Sequence, residues 1–215
     1  MSLEEIWRAF VTGMKEASLL EYVAVFAGIL SVWFSRLENI WVYPVGLIST
    51  IIYVYISFKF HLIGEASVNI YYTVLSLYGW FLWSRRNSSG VQILQISFAT
   101  KKEWLIHLCF FSGLYLVIYF CLIYLKDAFY PGVIPAGDAF ASATAYTGMW
   151  LMAKKKVESW LWWIATNVAS IPLYFIKGLV FTSVFYFVLL IMAFFGLVEW
   201  KRRAEKANKM AYIKA

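Results

Sequence analysis

The sequence predicts an all-α integral membrane protein: seven transmembrane helices arranged as two parallel three-helix repeats joined by a central helix, preceded by an N-terminal interfacial amphipathic helix. Three observations predict it. Of 215 residues, 62% are hydrophobic and 14% charged, more apolar surface than a soluble core of this size can hide. Seven stretches are long and apolar enough for the hydrocarbon layer, at about 20–36, 40–60, 64–84, 104–125, 137–153, 157–177 and 180–200. The chain is also written twice. VWFSRLENIW at 32–41 is answered by MWLMAKKKVESW at 149–160, and YGWFLWSRR at 78–86 by FGLVEWKRR at 195–203, an offset of 117 that also sets Glu21 over Asp138 and Trp33 over Trp150. A two-residue shift sets Trp41 over Trp160 and Tyr55 over Tyr174. Three helices, one crossing helix and three more give both halves the same direction through the membrane, the parallel repeat that encloses a substrate path.

The elements follow in order. Residues 1–19 form the interfacial helix: Leu3, Ile6, Trp7, Phe10, Val11 and Met14 share one side, with Glu4, Glu5, Arg8, Lys15 and Glu16 on the other. Spanning there would put several charges in hydrocarbon at about 3 kcal/mol each. The first three-helix repeat covers 20–86. Residues 87–136 hold a cytoplasmic loop, the linking transmembrane helix and an outer loop; 137–203 form the second repeat and 204–215 a cytoplasmic tail. No secretory signal is expected at the start. Cys109 and Cys121 lie on one face of the linking helix, where they cannot bridge each other, and no neighbours suggest a metal site.

Lysine and arginine fix the expected orientation. Seven spans put fourteen of them, from Arg36 to Lys214, on one side and five (Arg8, Lys15, Lys59, Lys126, Lys177) on the other. That asymmetry predicts a cytoplasmic C-terminus and an external N-terminus. It also accounts for the net charge of +7: the basic residues are dispersed over four short segments, and no nucleic-acid partner is expected.

Polar residues inside the spans carry the functional reading. Asn69, Tyr72, Thr73, Ser76, Trp80 and Trp83 follow one another at helical spacing, as do Trp160, Trp163, Asn167, Ser170 and Tyr174. A mid-span amide facing lipid would leave its donors and acceptors unpaired, so Asn69 and Asn167 should face the bundle interior as ligand site or as interhelical glue. Trp41, Trp80, Trp83, Trp160 and Trp200 lie near span ends, where the prevailing role of tryptophan is interfacial anchoring. Ser76, Ser142, Ser170 and Gly79 suit close helix approach. His61 and His107 stand isolated and should pack or face a polar interface; Glu21, Glu65 and Asp138 sit at outer span ends as caps. Pro172 removes a backbone donor in the sixth span and offers a hinge. With no mid-span Asp, Glu, Lys or Arg, the expected ligand is not an anion, and the Tyr, Trp and Asn stripes suit a flat or cationic ring carrying hydroxyl groups. No nucleophile–base pair supports an intramembrane enzyme, and a scaffold would not need inward polar stripes.

GEASVNIYYTVLSLYGWFLW at 64–83 and ESWLWWIATNVASIPLYFIKGLVFTSVFYFVLLIMAFFGLVEW at 158–200 resemble the signature regions of the PnuC-type nicotinamide riboside transporters, and VIPAGDAFASATA at 133–145 fits as well. The resemblance covers about residues 20–203. It implies a 3+1+3 fold related to the SWEET sugar transporters, residence in the bacterial inner membrane, and facilitated diffusion of nicotinamide riboside (a form of vitamin B3), with no cofactor and with trapping by a cytosolic kinase. Asn69, Tyr72, Thr73, Ser76, Trp163, Asn167 and Tyr174 are the expected substrate-binding residues, and a homo-oligomer is compatible with the sequence. Another vitamin-like, nucleoside or sugar solute such as thiamine is the alternative cargo. The halves depart from symmetry, Asn69 lying over Tyr186 and Tyr72 over Leu189, so they should not bind equivalently.

Overall fold

The computed structural model describes the backbone of residues 2–59, 63–129 and 133–214, and the side chains of these apart from 63–65, 125–129 and 210–214. His61 and the side chains of Glu65 and Lys126 lie outside the described residues. The described chain is all-α: α1 Leu3–Glu16, α2 Leu19–Arg36, α3 Val42–Lys59, α4 Ile63–Ser84, α5 Lys101–Phe129, α6 Pro135–Ala153, α7 Ser159–Ile176 and α8 Val180–Lys214. Two isolated bridges, Arg86 with Gln92 and Ser97 with Lys156, are its extended pairings. The final helix runs on beyond the apolar segment through much of the expected tail.

Local chemistry sets the helix starts. Ser2 and Ser18 each accept from the backbone N–H three residues on, while Glu5 and Glu21 reach back to the serine N–H. These reciprocal caps satisfy donors that a helix start leaves open and separate α1 from α2. Asp138 accepts from the Ile134 N–H at the head of α6 and pairs with Lys177 at 2.6 Å, which ties the end of α7 to the start of α6. Glu21 and Asp138 thus act as the caps the sequence suggested.

Packing runs in a closed circuit. α2 packs on α3, α3 on α4, α4 on α6, α6 on α7, α7 on α8, and α8 back on α2. Two seams, α4 with α6 and α2 with α8, join one triple of helices to the other. α5 packs on α6 from outside, and α1 packs on α8, where Phe10 meets Phe181 at 5.7 Å. Four helices, α2, α3, α5 and α8, contain segments long and apolar enough to cross a membrane. α6 and α7 are the most buried by protein, and a helix covered by other helices need not be apolar all round.

Contacts repeat at the 117-residue offset. Tyr43 of α3 lies on Gly79 of α4, and Trp160 of α7 lies on Gly196 of α8. The rings then meet Trp83 and Trp200 edge to face, at 5.1 and 5.6 Å. Tyr43 therefore takes the place that Trp160 holds in the other half, so the offset of 117 continues unbroken and the two-residue shift that set Trp41 over Trp160 is not needed. Trp41 is 58% exposed and Trp160 1% exposed. Trp83, Trp160 and Trp200 form the core where interfacial anchors were expected, while Trp41 and Trp80 keep exposed faces that suit a membrane interface.

A β-carbon built at Gly79 would lie 2.4–2.6 Å from Tyr43, and one at Gly196 2.5–2.6 Å from Trp160, whereas one at Gly113 meets nothing. Gly79→Ala and Gly196→Ala should each lower the melting temperature in detergent, overpacking of about 1–3 kcal/mol exceeding the gain in helix propensity. Gly113→Ala should be neutral or slightly stabilising in the same assay.

Candidate functional site

The seam between α4 and α6 carries the site. Tyr71 and Tyr72, adjacent on α4, both turn to Tyr146 of α6, at ring distances of 4.4 and 6.5 Å. The Tyr71 hydroxyl donates to the Tyr146 carbonyl at 3.0 Å, which fixes the register of the seam. Tyr72 also meets Trp163 of α7 at 6.0 Å with the rings tilted 58°, and it lies within electrostatic reach of Tyr186 on α8. One tyrosine of the first triple thus meets aromatic rings from two helices of the second, α6 and α7.

The supporting contacts explain why Trp163 can stand there. Gly148 of α6 lies against it, and a β-carbon at Gly148 would come within 3.3 Å of the indole. The equivalent pair in the first half is reversed, with Gly46 of α3 facing Ser31 of α2. A small-against-small contact in one half is small-against-tryptophan in the other. Buried Thr166 donates to the Trp162 carbonyl and bonds Thr144 at 3.0 Å, which holds α7 against α6 beside the indole. On α4, Thr73 bonds the Asn69 carbonyl at 2.9 Å and Thr50 of α3 at 3.0 Å.

Of the residues expected from sequence, Tyr72 and Trp163 are in ring contact. Asn167 and Ser76 are buried at 2% and 4% exposure, inside protein as an intramembrane amide requires. Asn69 and Thr73 are half-buried on the same α4 turn as Tyr72. Tyr174 stacks on Tyr186, rings 5.1 Å apart and 12° from parallel, toward the far end of α7. α7 runs as one helix through Pro172, whose ring is exposed. Sequence reasoning missed Tyr71, Tyr146 and Tyr186. Tyr146 had a signal: it is the one large polar-tipped side chain in the small-residue run ASATAYTG, where a close helix contact must accommodate it.

The basic end is closed by an ion cluster. Lys155, in the turn after α6, is fully buried, its Nζ 2.6 Å from the Glu38 carboxylate, 2.7 Å from the Gln92 amide oxygen and 4.6 Å above the Trp83 ring. Arg203 also reaches Glu38 and the Leu37 carbonyl. Burial pulls Lys155 below the ordinary lysine value, opposed by its bond to Glu38. Trp83 donates to the Ala153 carbonyl and Trp200 to that of Ser35, so each half's closing tryptophan is bonded to the other half. The linker joins them: Ser97 pairs with Lys155 and Val157, the Ala99 N–H donates to Glu158, and Ile96 is buried in the tryptophan core. His107 is buried between Trp104 and Trp150, the packing role expected of it. Cys109 and Cys121 are exposed, unbridged thiols.

An open apolar groove of about 770 Å³ lies elsewhere, between Leu3, Ile6, Trp7 and Phe10 of α1 and Val180 and Val184 of α8. It faces outward from the circuit of helices and offers no polar group to orient a solute, so the aromatic seam is the better candidate.

The sequence model of the nicotinamide mononucleotide transporter family matches residues 18–202. The nicotinamide riboside transporter PnuC of Escherichia coli (strain K12) is 25% identical over 93% of this chain and 92% of its own. The riboflavin/roseoflavin transporter RibM of Streptomyces davaonensis is 22% identical over 94% and 93%. A crystal structure of the vitamin B3 transporter PnuC shares the fold, with a TM-score of 0.68 over 95% of this chain and 90% of that one at 23% identity. Since the family match runs from the head of α2 to the basic end of α8, the chain belongs to the nicotinamide mononucleotide transporter family.

Proposed function

We propose that the chain is a membrane facilitator for nicotinamide riboside, with Tyr72 and Trp163 flanking the path between two parallel three-helix repeats. The family and its named members are transporters, and the chain is a transporter rather than an enzyme. The observation that carries the substrate is the Tyr72 cluster, where aromatic rings from α4, α6 and α7 converge, with half-buried Asn69 on the same turn of α4 and buried Asn167 on α7. Such faces attract a cationic pyridinium, and amides and hydroxyls can hold a carboxamide and a ribose. A riboside fits this lining better than a mononucleotide, because a phosphate would call for a cation. Among the described residues, the lysines nearest the path's ends, buried Lys155 with Glu38 and half-buried Lys177 with Asp138, are already engaged.

On this reading α2–α4 (within 20–86) and α6–α8 (within 137–203) are the repeats, α5 is the linking span in 87–136, and α1 (within 1–19) lies in the outer interface. The basic end and the 204–215 tail then face the cytoplasm, in a bacterial inner membrane. Asn69, Thr73, Ser76, Asn167 and Tyr174 line the path with the two central rings. Alternating access is assigned to relative movement of the repeats, with Pro172 as a hinge in α7. A cytosolic kinase would trap the arriving riboside. A second reading, a flavin-like cargo, is favoured by the similarity to RibM and by the same aromatic lining.

Three measurements test this. In titrations of the purified protein, nicotinamide riboside should bind more tightly than riboflavin or thiamine; a preference for riboflavin would move the chain to the second reading. Asn69→Leu and Asn167→Leu should each weaken binding roughly five- to 150-fold, the loss of a buried hydrogen-bonding partner at about 1–3 kcal/mol, and Trp163→Leu by about 0.5–2 kcal/mol. Unchanged binding in both asparagine variants, with the protein folded, would make these amides interhelical glue.

Labelled riboside should equilibrate across proteoliposomes without accumulating, insensitive to a protonophore or to sodium removal, because no Asp, Glu, Lys or Arg stands mid-span in the assigned path to couple it to an ion. Accumulation driven by an imposed ion gradient would instead make Glu21, Glu65 and Asp138 the coupling residues. Reporters should read a C-terminal fusion as cytoplasmic and an N-terminal one as external; a cytoplasmic N-terminus would mean that α1 spans.

A further inference from the structure

We propose that Glu38 and Lys155, braced by Arg203 and Gln92, form the gate on the basic end of the path and must separate for a carried solute to leave. The proposal rests on the transport reading above. Three independent observations converge on this pair.

The first is backbone. Glu38 and Lys155 are the described non-glycine residues with left-handed backbone, φ 59° and 52°. They lie 117 residues apart, at the same place in the two halves, each in the short turn joining a half's first helix to its second. Each closes its helix in the same way, with the next residue's N–H bonded back to the Phe34 or Leu151 carbonyl, a cap position where glycine is the cheap choice, so a charged side chain is carried there at a cost in both halves.

The second is charge. Equivalent positions would ordinarily carry equivalent residues, yet here one is acidic and the other basic, and they bind each other across the axis between the halves at 2.6 Å. The bond therefore belongs to neither half's own packing. Arg203 of α8 adds a second cation to Glu38, and Gln92 of the linker a second acceptor to Lys155.

The third is position. The pair lies over the tryptophan core: Lys155 covers the Trp83 face, Trp83 and Trp200 stand 6.0 Å apart, and Trp163 of the central cluster packs against the same core. A solute moving from Tyr72 and Trp163 toward the basic end meets this layer. Beneath the pair, Ser35 donates to Met152 at 3.0 Å, a contact between the halves buried to 4% and 6% exposure.

The energetics suit a closure that must reopen. A buried ion pair gains little over two separately hydrated ions, because attraction and desolvation nearly cancel. If water enters as the halves part, each ion recovers its hydration. An all-apolar seal at this place would offer no such compensation.

The test reads access at the buried Ser35 position and needs no substrate. In a Cys109→Ser/Cys121→Ser background, Ser35→Cys is labelled with a membrane-impermeant maleimide in proteoliposomes whose basic end faces the reagent. With the ion cluster intact, labelling should be slow. Glu38→Gln, and separately the milder Arg203→Gln at a half-exposed side chain, should speed it, Glu38→Gln by about tenfold or more, as expected for loss of charge-assisted hydrogen bonds. Lys155→Met added to Glu38→Gln should add little, since the ion pair between the halves is already lost in the single variant. Each variant is checked for monodisperse elution and a cooperative melt well above the labelling temperature. Unaltered labelling in both Glu38→Gln and Arg203→Gln overturns the gate, whatever the cargo is. Faster labelling in a protein that neither binds nor carries nicotinamide riboside upholds the gate and sinks the substrate reading instead.

Discussion

The architecture hangs on a contact made twice: an aromatic ring of one helix lying on a glycine of the next, Tyr43 on Gly79 and Trp160 on Gly196. Between helices in lipid the hydrophobic effect gives little attraction, so close van der Waals fit must supply it, and a missing β-carbon is what permits the fit. Each ring then meets a tryptophan one turn along the third helix, Trp83 or Trp200, and those tryptophans touch each other and bond to the opposite half. The local packing of each half and the joining of the halves are therefore one structure. The basic end is in this way one packed layer, and the Lys155 pair rests on it.

The proposed path lies where the symmetry fails. Where the first half has Ser31 facing Gly46, the second has Gly148 facing Trp163, which frees space on one side for an indole. Thr50 in the first half corresponds to Asn167, Asn69 to Tyr186 and Tyr72 to Leu189. A path lined by two identical halves would present a flat asymmetric solute with two equivalent poses. Here one half contributes the central tyrosine and the other most of the rings around it, so a single orientation can be preferred.

Much of the fold was legible because its signals are local or periodic. Hydropathy located the elements to within a few residues apart from the extension of α8 beyond residue 200, and the offset of 117 read in the sequence recurs in the contacts between helices. Trp83, Trp160 and Trp200 were misread because tryptophan near a span end is equally at home in an interfacial belt. What decides is a glycine or a carbonyl on another helix, information that no local window contains. The site was partly legible for the same reason: Tyr72 and Trp163 stand on recognisable stripes, while Tyr71 and Tyr146 matter through a hydrogen bond between helices 75 positions apart in the chain. The Lys155 pair was invisible as a pair, since its lysine was read only as part of a basic run that sets orientation.

The linker that runs between Gln92 and Ala99 has a consequence for biogenesis. Its partners are Lys155, Val157 and Glu158, all translated long after it. While α5 and α6 are still being made, the first three helices must wait with Ile96 and two backbone donors unsatisfied and with Trp83 lacking its acceptor at Ala153. The nascent chain thus passes through a stage in which its first half is threaded but not sealed. Completion of the α6–α7 turn ends it in one step, because the same few residues receive the linker and the opposite half's tryptophan together.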